Sequence, residues 1–167
     1  AGLGIGMPPV LNFGIPGNPA LQERVVRECL AGEKIICLCI TEPGAGSDVS
    51  NLACTARDAG DHFVVDGNKK WITNGIYADY FTVAVRTGPP GSAHQGLSLL
   101  LIARASSPGI PTSPLDCMGV WPRGPPSLAF AHVKVPKPPV LGHVGAGFTP
   151  LRYPLTHQRS LPAAPAP

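Results

Sequence analysis

The sequence predicts a mainly β chain, an antiparallel β-barrel preceded by one N-terminal helix, and three observations carry that expectation. Apolar residues recur at helical spacing in one place only, between Pro19 and Ala31. Beyond it, six short runs have the length and the β-branched or aromatic content of strands. Turn-forming residues separate these runs, and a single helix cannot supply the crossovers of a parallel sheet, so a closed antiparallel architecture is favoured.

The elements follow in chain order. Residues 1–17, rich in Gly and Pro, read as the continuation of an upstream segment. Asn18 and Pro19 offer an N-cap and a first helical position; Leu21, Val25, Val26, Cys29 and Leu30 form the apolar stripe, and Gly32 ends it. The strand runs are Ile35 to Thr41, Phe63 to Asp66, Asn68 to Thr73, Tyr80 to Arg86, Leu97 to Ala103 and Leu128 to Val135. Asp66 and Gly67, lying between apolar runs, predict a tight hairpin turn. Pro89, Pro90 and Gly91 mark a looser connection. From Gly142 onward the signals fade, and Leu161 to Pro167 can hold neither helix nor strand.

Composition excludes several classes of function. The 167 residues include 20 Gly and 21 Pro, but Gly44 to Gly88 contains no proline while 14 prolines fall between Pro108 and Pro167. A foldable centre is therefore joined to a proline-laden C-terminal third, and 44% hydrophobic residues suffice for a core. The 13 basic and 10 acidic residues are scattered without runs, so no nucleic-acid surface is expected. No apolar stretch approaches the roughly 18 residues of a membrane helix. Cys29, Cys37, Cys39, Cys54 and Cys117 are odd in number and irregular in spacing, which suits buried reduced thiols and no metal site. Cys37 and Cys39, two apart on a strand, share one face. The chain opens at Ala1 without a targeting segment, as a fragment or a processed product would, and the compartment is not legible.

Two segments could carry chemistry. In Ile40 to Asp48, ITEPGAGSD, a β-run ends, proline and glycines open the backbone, and uncovered N–H groups could admit an anionic or carbonyl-bearing ligand; a plain strand exit is the alternative. The segment lacks the lysine of a phosphate-binding P-loop. In Lys69 to Gly75, KKWITNG, Trp71 and Thr73 are two apart on the predicted strand and would share a face, a stacking wall beside a hydroxyl suited to a flat heteroaromatic ligand. The alternative is a core tryptophan with a neighbouring threonine.

In this order and about 30 residues apart, the two segments resemble the flavin-binding middle domain of the acyl-CoA dehydrogenase family. The resemblance rests on CLCITEPGAGSD (Cys37 to Asp48), VVDGNKKWITNG (Val64 to Gly75), DYFTVAVRT (Asp79 to Thr87), GLSLLLIA (Gly96 to Ala103), MGVW (Met118 to Trp121) and FAHVKVP (Phe130 to Pro136). It implies an end of an N-terminal helical domain over residues 1–32, a flavin-binding β-barrel over 33–140, and the truncated start of a C-terminal helical domain with a Pro/Ala-rich tail over 141–167. It also implies FAD as cofactor and an acyl-CoA thioester as substrate. Leu38, Cys39, Ile40 and Thr41 match the strand whose main chain and threonine hydroxyl bond the pyrimidine side of the ring. Gly46 and Ser47 match positions near the flavin phosphates, Ser47 near the thioester as well. Trp71, Ile72 and Thr73 match the segment packed on the isoalloxazine, Thr73 near N5.

The family's chemistry is α,β-dehydrogenation, with electrons passed to an electron-transfer flavoprotein or, in the related oxidases, to oxygen; members are homo-oligomers. Its catalytic carboxylate belongs to the C-terminal helical domain, and no residue here matches it. Glu42, the acid nearest the motif, falls on the opposite face from Thr41. Arg159, within LTHQR, matches a CoA-contacting arginine, but Thr156 stands where many members have Asp or Asn. Arg123, Pro125 and Pro126 replace small polar residues, so the strand that follows should start irregularly. The resemblance implies a flavoenzyme of acyl-CoA oxidation or an FAD-binding fragment of one that is inactive alone; the alternatives are an acyl-CoA oxidase-like flavoprotein and a non-catalytic truncated product that binds little flavin.

Overall fold

The structure, a computed structural model, describes residues 2–116 and 126–152. A wide helical turn at Gly2–Gly6 leads into α1 (Pro8–Phe13) and α2 (Pro19–Leu30). Seven strands follow: β1 (Ile36–Cys39), β2 (Thr55–Asp58), β3 (His62–Lys69), β4 (Tyr80–Arg86), β5 (Leu97–Ala103), β6 (Thr112–Ser113) and β7 (Ser127–Pro136). In α2, Pro19 takes the first turn, where its missing N–H costs nothing, and the Asn18 side chain accepts the Leu21 N–H at 3.0 Å. Val25 and Cys29, one turn apart, are its buried face.

The strands form one sheet in the order β1-β4-β2-β3-β7-β6, with β5 on the far side of β4, curved into a half-barrel. The sheet is mixed, which corrects the purely antiparallel expectation. β1 runs parallel to β4 from Ile36↔Tyr80 to Cys39↔Val83, and β2 meets β4 in parallel at Thr55↔Arg86. The remaining pairs are antiparallel. A parallel pair needs a long crossover, and here the β2–β3 hairpin and the following loop supply it in place of a helix. The single N-terminal helix is corrected too, since α1 and the Gly2–Gly6 turn precede α2. Pro8 and Pro9 open α1, the position where proline is tolerated.

Both faces of β4 and β5 are buried, which explains their unbroken apolar runs. One face, with Phe81, Val83, Leu100 and Ile102, closes on β3 and β7 inside the half-barrel. The other, with Ala84, Leu99 and Leu101, is covered by Met7, Val25 and Leu141.

The Asp66–Gly67 hairpin is absent. β3 runs through it as one strand with a bulge between Val65 and Gly67 against β7. The hairpin turn lies earlier, at residues 59–61, where Gly60 adopts φ 92° and donates its N–H to Asp58 Oδ1 at 2.8 Å. β2 escaped the sequence reading because only Ala56 of its four residues is buried. β3 ends at Lys69, so the predicted strand from Asn68 to Thr73 dissolves into a loop.

Cys29, Cys37, Cys39 and Cys54 are free and buried. Cys37 and Cys39 do share a face, with their sulfurs 3.7 Å apart. Among the described residues no helix is long and apolar enough to cross a membrane. The expectations for Cys117, Met118 to Trp121, Arg123, Pro125, Thr156, Arg159 and the tail from Leu161 lie outside the described residues.

Candidate functional site

Among the described residues, β1 has β4 on one side and no strand on the other. The Tyr80 N–H donates to Ile35 O at 3.0 Å, so odd-numbered residues here turn their main-chain groups toward β4. Leu38, between them, turns its N–H and C=O outward along the unpaired edge. The side chains alternate in the perpendicular direction: Cys37 and Cys39 enter the core, while Leu38 is half-buried on the other face.

Past β1 the chain makes a tight turn. The Glu42 N–H donates to Ala45 O at 2.9 Å and the Ala45 N–H to Glu42 O at 3.3 Å, so Pro43 and Gly44 form the tip and Gly46 and Ser47 emerge exposed. Among the described residues no acceptor meets the N–H groups of Thr41, Gly46 or Ser47.

The Trp71 loop is docked against this turn. The Lys70 N–H donates to Thr41 O at 2.8 Å, the Ile72 N–H to Pro126 O at 3.2 Å, and the Gly75 N–H to Ile72 O at 2.9 Å. Arg104 reaches back from the end of β5 to donate to Ala78 O at 2.7 Å and Gly75 O at 2.8 Å. Trp71 itself has φ 63° and is 50% exposed, with the Lys70 ammonium 4.8 Å from the ring centroid. Trp71 and Thr73 therefore do not share a sheet face as predicted. They come together because a fastened loop presents both.

The two segments enclose a cavity of about 400 Å³, within the size of small-molecule sites. Leu38, Ile40, Thr41, Gly46, Ser47, Trp71, Ile72 and Thr73 all line it, as does Ile5 from the Gly2–Gly6 turn and Val49. Cys39, also singled out in the sequence, has its side chain on the core side; Arg159 lies outside the described residues. Ile5 and Val49 were missed because neither stands in a recognisable motif. A hollow of similar size between α2 and β5, lined by Asn18, Arg24, Leu101 and Lys137, involves neither segment.

Behind the cavity lies a buried ion pair that sequence reasoning also missed. The Lys69 ammonium donates to Glu42 Oε1 at 2.7 Å and to Ile40 O at 3.0 Å. Glu42 in turn accepts the Ala53 N–H at 2.7 Å and the Cys54 N–H at 3.0 Å. The pair's side chains are 0% and 5% exposed. The signal was present: Lys69 sits at an inward position of β3, in step with Phe63 and Val65, where a lysine needs a buried partner.

Burial pushes the Cys54 thiol up to about 11, with nearby Lys69 only partly opposing it. Burial, then the hydrogen bond with Cys37, raises Cys39 well above the usual thiol range. These sulfurs stay protonated and supply no thiolate nucleophile. All ten acidic residues lie among the described residues, and none lines the cavity.

A family model described as "Acyl-CoA dehydrogenase, middle domain" matches residues 37–131. Acyl-CoA dehydrogenase apdG of Emericella nidulans is 40% identical over 161 residues, which cover 95% of this chain and 36% of that protein. The crystal structure of a probable acyl-CoA dehydrogenase from Mycobacterium abscessus is 42% identical with a TM-score of 0.86, covering 95% of this chain and 41% of that one. The structure of glutaryl-coenzyme A dehydrogenase in complex with glutaryl-CoA is 33% identical with a TM-score of 0.86, over 95% of this chain and 40% of that one. The chain thus spans 36% to 41% of the length of these relatives.

Proposed function

The chain belongs to the acyl-CoA dehydrogenase family, and from that premise we propose that its cavity holds the isoalloxazine of FAD beside an acyl-CoA thioester. The observation that carries the reading is the composition of the wall. A flat heterocycle edged with carbonyl and N–H groups needs donors, acceptors and a stacking surface at one place. The Leu38 main chain supplies both a donor and an acceptor on an edge that no strand covers among the described residues. Thr41 and Thr73 add hydroxyls, and half-exposed Trp71 adds an aromatic plane. The N–H groups of Gly46 and Ser47 suit an anionic phosphate or a thioester carbonyl. The residues present therefore fit the group.

Bound flavin would supply the acceptor for the two electrons released when an acyl thioester becomes its α,β-unsaturated product. The chain's own residues bind and orient. Leu38, Ile40, Ile5 and Val49 exclude water from one side, and Trp71 and Ile72 do so from the other. Removing the α-proton needs a base within hydrogen-bond reach, and no carboxylate lines this cavity. By itself the chain binds FAD and turns over no acyl-CoA.

The test uses one sample. Adding FAD should raise the melting temperature saturably, following the linkage between ligand concentration and stability. Anaerobic addition of butyryl-CoA to that complex should then leave the flavin absorbance unbleached. A protein whose melting temperature ignores FAD sinks the binding claim, and bleaching sinks the claim of catalytic silence.

A further inference from the structure

We propose that the buried Lys69–Glu42 pair is a positioning device for the cavity wall, and that its role is geometry at the site more than stability of the fold. The cofactor part of this inference rests on the reading above, whereas the geometric part does not.

Burial of an ion pair is a weak way to stabilise a core, because desolvation offsets most of the attraction and an apolar pair of similar volume often does as well or better. This pair nonetheless occupies a core that is otherwise apolar around Cys54, Ala56 and Leu128. Its hydrogen bonds explain what an apolar pair could not do. Lys69 closes β3 and stands two residues before Trp71; Glu42 follows Thr41 directly. The ammonium fastens the end of β3 to Ile40 O, and the carboxylate fastens the turn after β1 to the N–H groups of Ala53 and Cys54. The turn bearing Gly46 and Ser47 and the loop bearing Trp71 and Thr73 both hang from these two residues.

The pair also edits the edge of β1. Ile40 lines the cavity directly after β1, and without the lysine its carbonyl oxygen would be a free acceptor there. Lys69 occupies it at 3.0 Å. Losing the lysine would free that carbonyl and take from Glu42 the ammonium that faces it.

The decisive variant removes both charges together. Lys69→Met/Glu42→Leu leaves no buried charge alone, so its melting temperature should fall less than that of either single variant, the remaining loss coming from the unmet Ala53 and Cys54 N–H groups and Ile40 O. Its FAD affinity should nevertheless fall about tenfold or more, the size of one or two misplaced hydrogen bonds. Hydrogen exchange without FAD supplies an independent readout: the amides of Glu42, Ala45, Lys70, Ile72 and Gly75, whose bonds hold the turn and the loop, should exchange faster in the variant, while those of β4 and β5 stay protected. If the double variant does not fold, the isosteric Glu42→Gln is read by the same two measurements. Unchanged FAD affinity in a variant overturns the cofactor part. Unchanged exchange in both segments overturns the geometric part. If the wild type itself ignores FAD, the proposed function falls, and exchange alone then decides this inference.

Discussion

Trp71 holds φ at 63°, a conformation that costs an L-residue with a Cβ roughly 1–2 kcal/mol and that glycine adopts freely. The neighbouring bonds from Lys70 to Thr41, Ile72 to Pro126 and Arg104 to Gly75 over-determine the loop and keep the residue there. Because the indole is 50% exposed, truncating it opens no core cavity. We expect Trp71→Gly to raise the melting temperature of the FAD-free protein, by relief of about 1 kcal/mol, and Trp71→Ala to leave it nearly unchanged. Both should shrink the FAD-dependent part of the thermal shift, and Thr73→Val should shrink it less, by the worth of one hydrogen bond, about 0.5–1.5 kcal/mol. A Trp71→Gly variant that melts lower without FAD would remove strain from the account. At this scale the sequence was informative, since the residues that gather at the cavity stand in two contiguous motifs. The reason they gather was not legible: period-two alternation stood in for a left-handed turn, which local composition around Trp71 does not announce.

Gly67 shows the same limit for whole elements. Asp-Gly between apolar runs is the pattern of a two-residue hairpin, but here Gly67, at φ 141°, stays in the strand opposite a bulge whose extra residue is on β7, where His132 has φ 53°. What decides the outcome is the partner strand: β7 pairs with β3 on both sides of Gly67, at Val65↔Val133 and Asn68↔Ala129, so the chain cannot fold back there. Register of this kind is non-local and leaves no trace in the segment itself. A Cβ on Gly67 would lie 2.7 Å from the Cys54 Cα, and φ is 141°. Gly60, in the actual hairpin, has φ 92° but open space around it. Gly67→Ala should therefore lower stability by about 2–4 kcal/mol, backbone strain adding to overpacking. Gly60→Ala should cost only about 1 kcal/mol. Urea midpoints compared at neutral pH check the order, and equal losses would mean that β3 slides to relieve the contact.

At the scale of the whole molecule, helices and loops cover the outer face of β4 and β5, so these two strands are buried on both sides and the fold shelters protonated groups. Burial, with Glu28 and Asp79 adding to it, pushes the Cys29 thiol up to about 11, and burial pushes Cys54 to about 11. Burial and the hydrogen bond to Glu28 raise the Tyr80 hydroxyl to about 12. In the unfolded chain these groups release their protons near 9 for the thiols and near 10 for the phenol. Between those values and the raised ones the unfolded state binds fewer protons than the native state, so stability falls as pH rises. The contribution is fully present below pH 9 and is lost by about pH 11 for the thiols. Through that window Cys54 alone accounts for at most about 1.4 kcal/mol per pH unit. Urea midpoints should be flat from neutral pH to about 8.5 and then drop. The Cys29→Ala/Cys54→Ala variant should start lower, having lost buried sulfur, yet fall less steeply between pH 9 and 11, because two of the raised groups are gone while Cys39 and Tyr80 remain. A variant whose midpoint falls as steeply as the wild type over that window would show that the alkaline limit lies elsewhere than in the buried thiols.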